Sequence, residues 1–344
     1  MTTKQPSPSH AMHQTIEGTT MKAIVQDEYG QADTVLRLEE IDRPEIGPDE
    51  VLLRVHAAGV DRGVWHLMAG LPYPIRLAGY GLRSPKNPVR GIDVAGRVEA
   101  VGSDVTTLVA GDEVFGIAQG SFAEYASARE DKLAPIPANL TVEQAAAVPV
   151  SAMTALQAVR DRGKVRAGQR VLVIGASGGV GTYAVQIAKA FGAEVTGVCS
   201  TTKVELVRSL GADHVIDYTN DDIDGAGQRY DVILDIGGNR PLRQLRQVLA
   251  PRGTLVIVGG ETSGRWLGGS DRQLRAMAMS PFLGQKLGTF VASENRDDLV
   301  VLAGLMESGA VTPVVDRTFP LSQTPEAIEY VVQGKARGKV VVTV

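Results

Sequence analysis

Cysteine is nearly missing from this sequence: Cys199 is the single one in 344 residues. No internal disulfide can form, and no cysteine-rich zinc site can be built. Long apolar runs are missing too, none approaching the roughly 18 to 20 residues that span a bilayer. The N-terminus lacks the apolar core of a signal peptide. Neither sign of charge dominates, and a net charge of −4 gives no electrostatic reason to expect nucleic acid or an anionic membrane as partner. There is no internal repeat. What remains is a hydrophobic fraction of 44%, enough to fill real cores, in a chain long enough for two domains. A globular, cytoplasmic protein is the expectation.

The best-patterned stretch runs from Val171 to Ser200. Val171 to Ile174 reads as a strand buried on both faces, and the small residues Gly175-Ala176-Ser177-Gly178-Gly179-Val180-Gly181 follow it. Val180, Ala184, Ile187, Ala188 and Phe191 then recur at helical spacing. Gly192 ends that helix, and Glu194 to Val198 form a second strand. This is one βαβ unit with a glycine turn at its first strand-to-helix junction. There, backbone N–H groups and the helix dipole can hold a pyrophosphate. The dinucleotide fingerprint G-x-G-x-x-G appears as Ala176-x-Gly178-x-x-Gly181, with alanine at the first glycine.

Around this unit the chain divides. Residues 1–20 are polar and aperiodic, and His10 and His13 there read as solvated groups on a disordered extension. From 21 to 147 short strands, among them Val51 to Ala57, Val94 to Val101 and Glu113 to Ile117, are broken by Gly, Pro and Asp, which suggests a barrel or sandwich. His56 lies on one of them as a packed or half-exposed side chain. From Ser151 a helix enters an alternation of strands and helices. Its later strands are placed at His214 to Ile216, Tyr230 to Ile236, Thr254 to Val258 and Thr289 to Ala292. Six such strands make a doubly wound parallel sheet, assigned to 148–292. The tail, 293–344, with a last strand from Lys339, is expected to return to the first domain. The sixth strand's apolar, unprotected edge from Gly288 to Ala292 suggests a homodimer.

NAD enzymes of this architecture place an acid about 20 residues past the glycines, for the ribose 2′-OH. Here that place reads Val198-Cys199-Ser200-Thr201-Thr202-Lys203, hydroxyls and a lysine without an acid. A cation in the first turn of a helix costs about 0.3–1 kcal/mol, which a 2′-phosphate alongside would offset. The expectation is NADP(H).

These features together resemble the medium-chain dehydrogenase/reductase superfamily, and within it the zinc-free quinone oxidoreductase branch, from Met21 to Val344. The resemblance is carried by Gly91-Ile92-Asp93-Val94-Ala95-Gly96-Arg97-Val98 with Val101-Gly102, Gly111-Asp112-Glu113-Val114, Ser121-Phe122-Ala123-Glu124-Tyr125, the glycine turn, and Gly338-Lys339-Val340. It implies a barrel-like (GroES-like) catalytic domain beside a Rossmann domain, with the cofactor in the cleft between them. It places Lys203 and Tyr218 at the adenosine phosphate, Thr154 near the nicotinamide and Lys339 near the cofactor. The loop from Gly259 to Gly269 would edge the nicotinamide pocket, with Trp266 on it.

Alcohol dehydrogenases of the superfamily use Cys and His-Glu at a catalytic zinc. By that resemblance Asp61 stands at the cysteine and Ile92-Asp93 at the His-Glu pair, and the four-cysteine lobe has no room between Phe115 and Phe122. The expectation is a metal-free enzyme. Without a Lewis acid, acceptors that already withdraw electrons remain feasible: quinones and the conjugated C=C of enones and enals. The acceptor pocket is expected along the loop Asp61 to His66 and along Leu71-Pro72-Tyr73. Trp65 and Tyr73 either cover a flat acceptor or fill the barrel core. Asp61 either caps a turn, or orients a donor or serves as acid. Arg62 either stabilises a developing anion or is solvated, and His66 is a further candidate donor. Two rival readings stay open, a zinc-free NADP-dependent alcohol dehydrogenase and a non-catalytic nucleotide-sensing, RNA-binding or structural protein on the same fold.

Overall fold

A computed structural model describes residues 19–224, 227–259, 264, 266 and 268–344. The expected N-terminal extension falls outside them, apart from Thr19 and Thr20. Thr20 already opens β1 (Thr20–Val25), which leads through α1 (Ala32–Val35) to its antiparallel partner β2 (Arg37–Asp42). The chain then forms β3 (Glu50–Val60), α2 (Arg62–Ala69), β4 (Asp93–Val101), β5 (Glu113–Ile117), β6 (Tyr125–Arg129) and β7 (Leu133–Pro135). Residues alternating in burial along β3 put Val51, Leu53 and Val55 into an apolar core, which is what a strand covered on one face requires.

Two helices, α3 (Val142–Ala146) and α4 (Pro149–Gln157), lead to the second half. It comprises β8 (Arg170–Ile174), α5 (Gly179–Ala190), β9 (Glu194–Cys199), α6 (Val204–Ser209), β10 (His214–Asp217), β11 (Tyr230–Asp235), α7 (Leu242–Val248), β12 (Leu249–Ile257), α8 (Ser270–Met279) and β13 (Lys286–Thr289). All six strands run parallel in the order β10-β9-β8-β11-β12-β13. The order reverses at β8, so a crevice opens beyond the C-terminal ends of β8 and its neighbours, where such sheets bind ligands. Val171, Leu172 and Val173 of β8 are fully buried, as continuous apolar runs in parallel sheets are. Burial at this level stabilises by about 1.5–3 kcal/mol per large side chain.

The tail forms α9 (Arg296–Glu307), β14 (Val315–Pro320), α10 (Thr324–Val332) and β15 (Lys339–Thr343). β15 lies between β14 and β3 in a seven-stranded sheet ordered β14-β15-β3-β4-β5-β7, with β6 also paired to β3. The molecule is thus α/β, a barrel-like half joined to a Rossmann half. One apolar cluster runs through both, from Phe115 and Ala146 past Met153 to Tyr183 and Val173. The Tyr183 hydroxyl donates to the Ala147 carbonyl at 3.0 Å.

Two local expectations are corrected. The stretch after Asp61 is a helix, not a loop: the Asp61 Oδ1 accepts from Gly63 N (2.6 Å) and Val64 N (3.3 Å), and Gly70 closes the helix at φ +60°. The signal was present in an acidic N-cap, buried Val64 and Met68 one turn apart, and a C-terminal glycine. The sixth strand of the parallel sheet ends at Thr289, with Leu287 opposite Leu255 and Thr289 opposite Ile257. The apolar pair Phe290-Val291 lies beyond it, and Val291 is 94% exposed.

Candidate active site

The glycine turn is tight and leaves an open space at the head of α5. Gly175 has φ +85°, a left-handed conformation that glycine adopts without strain. Its N–H and that of Ala176 both donate to the Val198 carbonyl at 3.1 Å, fixing the turn to β9. Ala176 can therefore replace the first fingerprint glycine, because Gly175 makes the sharp turn. A Cβ on Gly181 would lie 2.0 Å from the Gly175 carbonyl oxygen, so only glycine lets α5 approach β8 this closely. Gly178 is the N-cap of α5, and around it the space is open, with only the Gly175 oxygen near a Cβ, at 3.6 Å. The first N–H groups of α5, Gly179 to Gly181, have no acceptor within the helix. Open space, free donors and the dipole fit a pyrophosphate.

At the far end of the crevice Ser200 precedes the short turn Thr201–Lys203. The Lys203 ammonium donates to the carbonyls of Gly334 (2.9 Å) and Ala336 (2.7 Å). Burial pulls its pKa down, Asp316 opposes this, and the charge of Arg337 adds to the lowering. Arg337 is an exposed second cation here that the sequence reading did not single out. Tyr218 is 53% exposed just after β10 and donates its N–H to Cys199 O. Asp217, which ends β10, is engaged by Thr201, Thr219 and Asn220, and those bonds hold its carboxyl below the usual range.

The seam between the halves holds a buried ionic group. Lys339 Nζ lies 3.0 Å from Asp93 Oδ2 and 3.1 Å from Ser151 Oγ, and both ends of the ion pair are out of water. Asp93 also accepts from Val150 N at 2.9 Å. Burial pushes the Asp93 carboxyl up to about 6, against the opposing pull of Lys339, and the charge of Asp61 adds to the rise. Lys339 and Ser151 close on Gly179, whose Cβ would lie 3.1 Å and 3.2 Å from them. The neighbouring Gly338 N donates to Ser177 O at 2.9 Å. The C-terminal strand is thereby fastened to the glycine turn. Thr154, one turn after Ser151 on α4, bonds back to Val150 O at 2.7 Å. Gly259 lies across the crevice, held by Asp235 O at 3.2 Å, with a Cβ position only 2.1 Å from Ile236 O.

On the barrel side Asp61 is committed to its cap, and its Oδ2 is buried without a hydrogen-bond partner among the described residues. The Arg62 guanidinium donates to Val332 O at 3.2 Å and stands 5.8 Å from the Trp65 ring. Trp65 itself is half-buried against the core around Val64 and Ile328 and meets His66 edge-on. His66 Nδ1 lies 2.8 Å from Leu71 O. With Nδ1 carrying the proton, Nε2 of the neutral ring is an acceptor, so His66 donates from Nε2 only as imidazolium. Tyr73 packs edge-to-face on Trp266, centroids 5.2 Å apart. That pair, with Pro72 against Gly268, joins the barrel to the loop after β12. The remaining residues of that loop, 260–263, 265 and 267, lie outside the described set.

A cavity of about 320 Å³ opens beside α2, and Val64, Leu67, Arg90, Ile92 and Ile117 are among its walls. Arg90 was passed over in the sequence because it precedes the Gly91-Ile92-Asp93 motif without belonging to it. Among the described residues no three His, Cys, Asp or Glu side chains cluster to hold a metal, and no helix is long and apolar enough to cross a membrane.

Comparison with known proteins adds a family context. The model described as "Alcohol dehydrogenase GroES-like domain" matches residues 47–138, and the one described as "Zinc-binding dehydrogenase" matches residues 210–342. The chain is 37% identical to the NADPH-dependent alkenal/one oxidoreductase, chloroplastic, of Arabidopsis thaliana, over 94% of this chain and 79% of that protein. It is 34% identical to the mitochondrial NAD(P)H oxidoreductase RTN4IP1 of Mus musculus, over 95% and 90%. Among solved structures, the quinone oxidoreductase from Coxiella burnetii aligns with a TM-score of 0.81 at 29% identity, covering 94% of this chain and 99% of that one.

Proposed function

The chain belongs to the medium-chain dehydrogenase/reductase superfamily, and from that premise we propose that it catalyses NADPH-dependent two-electron reduction of a quinone or an α,β-unsaturated carbonyl. It is an oxidoreductase of that family, and similarity to alkenal/one and quinone reductases supports this acceptor class. The observation that carries the proposal is the state of the three positions that resemble zinc ligands. Asp61 caps a helix, Ile92 has no donor atom, and Asp93 is bound to Lys339 and Val150 N. Such a set favours acceptors whose negative charge is delocalised without a Lewis acid.

A bound nicotinamide nucleotide supplies the hydride from its C4. The cradle Ala176-Ser177-Gly178-Gly179-Val180-Gly181 would hold its pyrophosphate. Ser200, Lys203, Tyr218 and Arg337 would surround a 2′-phosphate, which favours NADPH. Thr154, Gly259 and Lys339 would bound the nicotinamide end. Trp65 and Tyr73 would cover the acceptor and exclude water, Arg62 would favour the developing anion, and the proton would come from water or from His66 as imidazolium. A second copy would cover the β13 edge, where Phe282 is 87% and Val291 94% exposed, making a homodimer.

The test is turnover by the purified protein with NADPH against a panel of quinones, enones, enals and alcohols. Oxidation of NADPH by the first three groups is expected. If none of them reacts while a simple alcohol reduces NADP, the alcohol dehydrogenase reading replaces this one.

A further inference from the structure

Arg90 differs from every other cation on the wall of the cavity beside α2 except Lys86. Arg129 is paired with Asp131 and Asp49, and Lys132 with Glu294. Lys86 stands exposed at the mouth. Arg90 is 93% out of water, at 7% exposure, and its guanidinium makes no hydrogen bond or ion pair among the described residues. Burial holds its pKa below the usual arginine value, opposed only by Tyr29. A guanidinium keeps its charge at any physiological pH, so it cannot escape the cost of burial by losing a proton. An isolated buried charge is costly unless something pairs with it, and the open side of Arg90 is the cavity.

The cavity adjoins the site already described. Ile92, on its wall, precedes Asp93, which holds Lys339 against Gly179 of the cradle. Val64 and Leu67 belong to α2, whose N-cap is Asp61. The wall carries an apolar share from Val64, Leu67, Ile92 and Ile117, beside the amides Asn87 and Gln119 and the Lys132–Glu294 pair. An occupant matched to these walls has an apolar body and one anionic group. A single buried fork suits a carboxylate, whose two oxygens and one charge it can satisfy bidentately. A phosphate dianion would bring a second charge with no buried partner.

We propose that Arg90 binds a carboxylate on the acceptor, so that the substrates of this enzyme are carboxylate-bearing enones or quinones. This deepens the reading above and rests on it. Arg90 thereby sets specificity and orients the acceptor, while the reducible bond extends toward the nicotinamide end of the crevice.

The experiment compares 4-oxo-2-alkenoic acids of increasing chain length with their methyl esters, for the wild type, Arg90→Gln and Arg90→Lys. The wild type is expected to favour acid over ester in kcat/KM by about 10–100-fold, the value of one charged hydrogen-bonded contact. Most of that preference should appear in KM. Arg90→Gln should bring the ratio close to one, and Arg90→Lys, which keeps the charge but not the fork, should fall between. In parallel, calorimetry follows binding of the saturated 4-oxoalkanoate and its ester, which cannot be reduced at C=C. Acid binding that depends on Arg90 without any turnover would uphold the anion site and sink the reaction reading. Turnover of acid and ester at equal rates would do the reverse. Loss of NADPH affinity in Arg90→Gln with unchanged acid binding would assign the residue to the cofactor and overturn the proposal. Should Arg90→Gln fail to fold, the wild-type acid-to-ester ratio and Arg90→Lys still decide.

Discussion

Lys339 reaches Asp93 and Ser151 within 3.1 Å in the seam, whereas Arg90, on the same segment as Asp93, faces a cavity whose carboxylate, Glu294, is taken by Lys132. Both cations are almost wholly out of water. The first is neutralised from within the chain by partners that join the two halves, which is how a structural ion is kept. The second is left for something that arrives from outside. Burial alone does not separate the two roles, but the presence or absence of an internal partner does. Lys203 stands between them, partly buried and held by two neutral carbonyls.

The largest effect should come from breaking the internal pair. Asp93→Asn leaves a buried ammonium without its anion and is expected to destabilise in urea denaturation, by less than the ~3–5 kcal/mol of a fully ionised buried pair, because burial opposes the charge on Asp93. Adding Lys339→Met should recover most of that loss, because removing both charges is often close to neutral. A double variant as unstable as Asp93→Asn alone would show that packing, not charge, dominates the seam. The same pair has a pH signature. The unfolded carboxyl titrates near 3.9 and the native one at about 6, so between these values the native state holds the extra proton. The contribution of Asp93 to stability therefore falls as pH rises from about 4 to 6 and is level above. The difference between wild type and Asp93→Asn across that range should carry this slope, and a flat difference would contradict it.

Lys203→Ala tests the intermediate case. It should weaken NADPH by about 1.5–3 kcal/mol if the ammonium leaves its carbonyls for a 2′-phosphate, while NADH is nearly unaffected. Fluorescence titration of both nucleotides reads this directly, and equal losses would assign Lys203 to the Gly334–Ala336 loop alone. The smallest effect belongs to Arg90. Arg90→Met should leave the stability of the ligand-free protein within about 1 kcal/mol of wild type or raise it, since an unpaired buried charge adds little to the fold. A loss as large as that of Asp93→Asn would mean that Arg90 is structural after all and would erase the contrast.

How much of this could be read beforehand follows the range of the interactions. The glycine turn is local: strand, small residues and amphipathic helix are contiguous, and the strand and helix periods announce them. The Rossmann order of strands follows from the same alternation. Asp61 as a cap was among the readings the sequence left open, and the helix it starts was missed because it is short, with Val64, Met68 and Ala69 as its buried positions. The partners of Lys339 could not be read, since Asp93 is 246 residues away. Lys203 looked free for the same reason, its acceptors lying 131 and 133 residues on. Arg90 carried no signal at all, because an unpartnered charge is defined by what surrounds it in space.

The position of β15 between β14 and β3 has a consequence for how the molecule assembles during synthesis. The Rossmann strands, β8 to β13, emerge as one uninterrupted block and can pair as they appear. The barrel strands emerge first but must wait for β15, the partner of β3 and the carrier of Lys339. Domains emerging from the ribosome tend to fold as units, and distant pairings are slow to close. The half translated first is therefore the half completed last, and until then Asp93 and the edge of β3 stay unpaired. Nascent chains stalled before residue 339 should present a protease-resistant Rossmann core and a still-cleavable barrel, with resistance in the barrel appearing only after β15 clears the exit tunnel.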